Sequence, residues 1–184
     1  MLYAVAAALV MGAVMTFGDF VWAALRLRHE AIYGLVHGAV ICLCIGALIG
    51  ARERRLPPAL VAGPVVGLVA AGAFYALAPW LRYGAMFPAW MLFWICFALL
   101  QSYLASGRSA PPPGAVSATL GTAVARGLAA AVVSGLAFYA ISGIWTNPSP
   151  GGPNYLRHFL SWSFAFLPGF VALFAGQPRP RAVS

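Results

Sequence analysis

The sequence predicts an all-α fold, a polytopic integral membrane protein built as one bundle of six transmembrane helices. Three observations carry that prediction. Hydrophobic residues make up 62% of the 184-residue chain and charged residues 8%, which leaves too little polar surface for a soluble domain of this length. The apolar residues gather into stretches close to the ~20 needed to cross a hydrocarbon core ~30 Å thick. Charged and proline-rich clusters separate those stretches, and no composition break marks off a second domain, so residues 1–184 read as a single membrane domain.

The spans follow from this punctuation. The first, residues 2–25, ends at the charged turn Arg26-Leu27-Arg28-His29-Glu30. It lacks a basic leader, and its apolar run is too long for a signal peptide, so it reads as a retained helix. The second, 31–50, stops at Arg52-Glu53-Arg54-Arg55 and the Pro57-Pro58 pair. The third, 60–79, runs into a short turn with Trp80, Arg82 and Tyr83, and the fourth, 86–104, into a linker with Arg108 and three consecutive prolines. The fifth covers 120–145 and precedes a loop rich in Pro, Gly and Asn, where turns are expected. The sixth, 156–175, carries a Pro168-Gly169 kink signal.

Arginines set the orientation. The termini and even loops hold Arg52, Arg54, Arg55, Arg108, Arg179 and Arg181, and the odd loops hold Arg26, Arg28, Arg82 and Arg157. By the positive-inside rule both termini face the cytoplasm, and the expected location is a bacterial inner membrane. The formal net charge of +8 fits anionic headgroups. Nucleic acid is excluded as a partner, because no basic run with interleaved aromatics extends beyond the spans.

Small residues recur every four positions: Gly34, Gly38, Cys42, Gly46 and Gly50; Gly63, Gly67 and Ala71; Ala123, Gly127, Ala131 and Gly135. That spacing lets helix backbones approach closely. Three such stripes in one chain point to internal packing first, with a homo-oligomer or a partner within a membrane complex as the alternative use. The fourth span carries an aromatic stripe, Phe87, Trp90, Trp94 and Phe97, suited to lipid, to the core, or to one wall of a pocket.

The chemistry centres on Asp19. A carboxylate in hydrocarbon costs several kcal/mol and rarely stands there without a partner or a task. A tight hairpin of the first two spans would set Asp19 and His37 at equal depth, roughly 9 Å inside at 1.5 Å per residue. Glu30, Tyr33 and His37 share one helix face, and Asp19 and Arg26 share another, so Asp19 is expected to pair with His37 beneath a cap of Arg26, Glu30 and Tyr33. Ser142, His158 and Ser161 gather at the same membrane side, whereas the other half offers little beyond Gln101 and Ser102. The expected ligand-binding residues are therefore Asp19, His37, Tyr33, Arg26, Glu30, Ser142 and His158, with Trp90 and Trp94 as the apolar wall. No catalytic or metal-binding residue is assigned. Cys42 and Cys44 point about 200° apart on a helix and share no metal or disulfide.

These residues fit a protein that binds or transports a small amphipathic molecule or lipid at a polar site in its extracytoplasmic half. The alternatives are an accessory or assembly subunit of a membrane complex and an enzyme using Asp19–His37 as an acid/base pair, for which no nucleophile or metal motif is present. Bis-histidine haem needs two deep histidines, and only His37 is deep. The sequence therefore names no cofactor.

Overall fold

The computed structural model describes residues 1–25, 30–106, 115–141 and 152–175. Among them there is no strand. The helices are α1 (Leu2–Leu25), α2 (Glu30–Glu53), α3 (Leu56–Leu81), α4 (Met86–Ser106), α5 (Ala115–Ile141) and α6 (Gly152–Phe174), with a 3-10 turn at Arg82–Ala85 between α3 and α4. Among the described residues, five stretches are long and apolar enough to cross a bilayer, not the six expected: Leu2–Val21, Ala31–Glu53, Leu56–Ser106, Thr119–Ile141 and Asn154–Phe174. The third is a run of 51 residues that holds both α3 and α4. Its connecting turn stays helical, so no loop divides the run.

Helix ends differ from expectation for local reasons. α2 continues to Glu53 because a Schellman-type stop closes it. Arg55 N–H donates to the Gly50 carbonyl (2.8 Å) and Arg54 N–H to that of Ala51 (3.2 Å). The stop needs a left-handed residue, and Arg54 takes that place at φ 56°. α3 then starts at Leu56, because Pro57 and Pro58 fall in the first turn, where a missing N–H breaks no helical bond. Arg82, at φ 50°, ends α3 and turns the chain into α4.

Packing joins each helix to the next and closes α6 back on α1. The α2–α3 contact is the most extensive, and small residues make it. A Cβ added at Gly38 would meet the Gly67 carbonyl at 3.1 Å, one at Gly63 would strike Cys42, and one at Gly46 would meet the Ala59 carbonyl at 2.5 Å. Each four-residue step along α2 matches a four-residue step back along α3, an antiparallel register written by the two stripes. In α5, Gly127 likewise leaves room for the α4 backbone at Ile95, where an added Cβ would stand 2.6 Å from Cα.

The expected tight hairpin of the first two spans is not formed. α1 packs mainly on α6, where Gly12 faces Phe159 and Ser163, and α1–α2 is one of the slightest contacts in the bundle. The reason is that the small-residue face of α2 is occupied by α3. α1 buries Ala4, Ala7, Ala8 and Met11 instead. The core between α4, α5 and α6 is aromatic: Trp94, Phe97, Phe166 and Phe170 are fully buried.

Candidate functional site

Asp19 lies on α1, about one and a half turns before its end, with a side chain 22% exposed. Its donor comes from α6. Trp162 Nε1 donates to Asp19 Oδ2 at 2.7 Å, and His158 Nε2 stands 3.9 Å from the same oxygen. His158 and Trp162 are four residues apart, so both face α1 from one side of α6. Phe20 packs on His158 and Tyr155, with its ring 5.2 Å from that of His158 and 4.1 Å from that of Tyr155. An indole N–H to a carboxylate is a charge-assisted bond, stronger than a neutral one, and it fixes the orientation of the carboxylate.

The expected Asp19–His37 pairing is thus replaced by Asp19–Trp162. His37 is still close: a Cβ built on Gly18 would lie 3.0 Å from His37 Cε1, so the imidazole rests against the α1 backbone beside Asp19. It reaches α1 across one of the slighter contacts of the bundle.

Asp19 and His37 open onto one cavity of about 280 Å³. Met15, Gly34, Ala70, Phe74, Tyr75, Met86, Trp90, Phe93, Trp162 and Phe166 complete much of its wall, so α1, α2, α3, α4 and α6 all contribute. Tyr75 lies over Gly34, where a Cβ would overlap its ring and hydroxyl. A void this size holds several waters or one small ligand, near the lower end of the ~300–1,000 Å³ common for ligand pockets. It sits toward the end of the bundle marked by the α3–α4 turn, since Met86, the first residue of α4, is part of the wall.

Of the sequence-derived candidates, Asp19, His37 and Trp90 meet in this cavity. His158 stands behind Asp19, outside the wall. Tyr33 is on α2 one turn from His37, also outside it. Trp94 belongs to the core and not the cavity: it is fully buried, and its ring fills the space that a Cβ on Gly169 would take. Arg26 and Ser142 lie outside the described residues, as does the side chain of Glu30. Sequence reasoning missed Trp162 and Phe166. Their signal was present as a second aromatic stripe, His158, Trp162, Phe166, Phe170 and Phe174, at a strict four-residue spacing on α6.

The opposite end also departs from expectation. Beyond Gln101 and Ser102 it holds a buried polar network. Glu53 is 2% exposed and takes Arg52 Nη1 at 2.5 Å. Arg52 also lies over the Phe174 ring, 4.7 Å from its centroid. Gln101, on α4 and fully buried, has its amide best oriented so that nitrogen donates to the Leu173 carbonyl (3.0 Å) and oxygen accepts from Arg52 Nη1 (3.2 Å). Arg126 Nη2 donates to Ser102 Oγ (2.8 Å), and Tyr3 Oη to the Leu48 carbonyl (2.5 Å). Together these bonds link five of the helices at that end, α3 being the exception. Their pairing within the protein gives them a structural role.

Among the described residues no group of three or more His, Cys, Asp or Glu side chains is placed to hold a metal ion. Comparison of the chain with protein families, characterised proteins and solved structures finds no match.

Proposed function

We propose that the chain is a six-pass membrane protein with cytoplasmic termini, and that it binds or carries a small amphipathic molecule or lipid in the cavity at Asp19. Composition and the apolar helices support the membrane setting. The arginine bias supports the orientation, which puts the cavity in the extracytoplasmic half. One observation carries the binding reading: Asp19 and His37, from different helices, meet in a single cavity whose remaining wall is largely apolar, with aromatic and small residues. A few polar groups set in an apolar concavity are the usual make-up of a small-molecule site.

The acid/base enzyme reading has less support. The hydrogen bond to the carboxylate comes from an indole N–H, which orients it but does not exchange protons in the catalytic range. The accessory-subunit reading requires no ligand, which makes it testable. Native mass spectrometry of the purified protein in mild detergent should show a retained small molecule or lipid. Ala70→Phe, which fills the cavity from α3, should abolish retention while the protein stays folded. Equal retention by the filled variant, or none by the native protein, defeats the binding reading.

A further inference from the structure

We infer that the cavity selects a cation: an amine or quaternary ammonium with a small apolar body. The inference rests on the binding reading above and narrows it to a ligand class. Its basis is the sign of the electrostatics. Asp19 is the one acidic side chain in the wall, and no arginine lines it among the described residues. The carboxylate holds one oxygen on Trp162 Nε1, and its side chain, 22% exposed, lines the cavity. A carboxylate in a low-dielectric interior gains most from a positive partner; the indole N–H supplies dipole without charge, and His158, 3.9 Å from the same oxygen, adds charge only when protonated.

Of the rest of the wall, His37 carries charge only when protonated, and the aromatic side chains favour cations as Asp19 does. Phe74, Tyr75, Trp90 and Phe93 line the void together with Asp19. Aromatic faces attract cations through their quadrupole, and aromatic walls are how proteins hold ammonium groups that make few hydrogen bonds. Carboxylate and rings therefore favour one charge type and oppose anions, while the apolar area accepts the ligand's body. The volume of about 280 Å³ limits that body to a small one.

The test uses purified full-length protein in an uncharged detergent, with binding read by quenching of tryptophan fluorescence and by thermal shift. Three probes of similar shape are compared: benzyltrimethylammonium, its neutral carbon isostere neopentylbenzene, and benzenesulfonate. The cation should bind about tenfold or more tightly than the isostere. Asp19→Asn should remove that preference while leaving neopentylbenzene binding unchanged, which shows the variant's cavity is intact. Dodecylphosphocholine separates the sources of the ammonium group. If it binds more tightly than benzyltrimethylammonium and loses this in Asp19→Asn, the carboxylate–ammonium contact stands and the ammonium belongs to a lipid headgroup. Equal binding of cation and isostere by the native protein overturns the cation inference and leaves the cavity reading intact, as does preference for the sulfonate. A cation preference that survives Asp19→Asn overturns the role of Asp19. Failure of every probe to bind defeats the binding reading and this inference with it. Should Asp19→Asn not fold, the order of the three probes on the native protein still decides.

Discussion

Trp162 and Asp19, 143 residues apart in sequence, share a 2.7 Å hydrogen bond that fastens the last helix to the first. Because α1 makes only a slight contact with α2, this bond and the α1–α6 packing hold α1 in place. Trp162→Phe keeps the ring and removes the donor, and should lower stability by about 1.5–3 kcal/mol, the usual worth of a hydrogen bond to a charged group. Asp19→Leu leaves the indole N–H unpaired and should cost a similar amount. The double variant Asp19→Leu with Trp162→Phe should recover most of the loss, whereas Asp19→Leu with His37→Phe should not. Unfolding titrations in mixed micelles would measure both cycles. Equal recovery by the two doubles would return His37 to the role of partner.

The α2–α3 register makes a sharper prediction, since glycines of the same chain should respond with opposite signs. Gly67→Ala would push a methyl into the Gly38 backbone, and Gly46→Ala into the Ala59 carbonyl. Each should destabilise by about 1–3 kcal/mol, as overpacking does. Gly72 and Gly121 have nothing within 4 Å of an added Cβ, so alanine there should stabilise by about 0.5–1 kcal/mol through helix propensity. Thermal midpoints of the four variants in one detergent check this. Destabilisation at Gly72 equal to that at Gly67 would contradict the register.

What the sequence revealed and what it hid divide along one physical line. Helix existence and the stripes are local properties, fixed by composition and four-residue spacing, and Gly38, Cys42 and Gly46 do meet Gly67, Gly63 and Ala59. The depth of Asp19 is local too. Its partner is not, because it depends on which helices become neighbours. A hairpin was the natural expectation for consecutive spans, yet the small face of α2 met α3, and α1 turned to α6. Trp162 was overlooked for that reason, although its place in the His158–Phe174 stripe was visible. The burial of Glu53 was not legible because it stands in the charged cluster Arg52-Glu53-Arg54-Arg55, which reads as the end of the second span at residue 50.

The network around Glu53 should behave as a buried ion pair. Glu53→Leu removes the acid and leaves Arg52 beside Gln101 and Phe174 without its closest counter-charge, and Arg52→Met does the reverse. Breaking one partner of a buried pair costs about 3–5 kcal/mol, whereas replacing both with apolar groups is often nearly neutral. Each single variant should therefore unfold at markedly lower denaturant than the native protein, and the double close to it. Ligand retention by the double should be unchanged, because the network lies at the other end from the cavity. Loss of retention in a folded double variant would tie the two ends together functionally.

The last prediction concerns the 51-residue run Leu56–Ser106. At 1.5 Å per residue it would extend ~76 Å if straight, far beyond a ~30 Å hydrocarbon core. The helix is not straight, because Arg82 at φ 50° turns the chain and α3 packs against α4. The proposed six-pass arrangement takes this run as two crossings joined at the 3-10 turn. Tyr83 in that turn is 71% exposed, and Arg54, before α3, is exposed as well, so both positions are open to a reagent. In a background with Cys42, Cys44 and Cys96 replaced by alanine, Tyr83→Cys should react with a membrane-impermeant thiol reagent from outside intact cells. Arg54→Cys should react only after the cells are opened. If Tyr83→Cys and Arg54→Cys label from the same side, α3 and α4 enter and leave by one face, the protein crosses five times or fewer, and the cavity loses its assignment to the extracytoplasmic half.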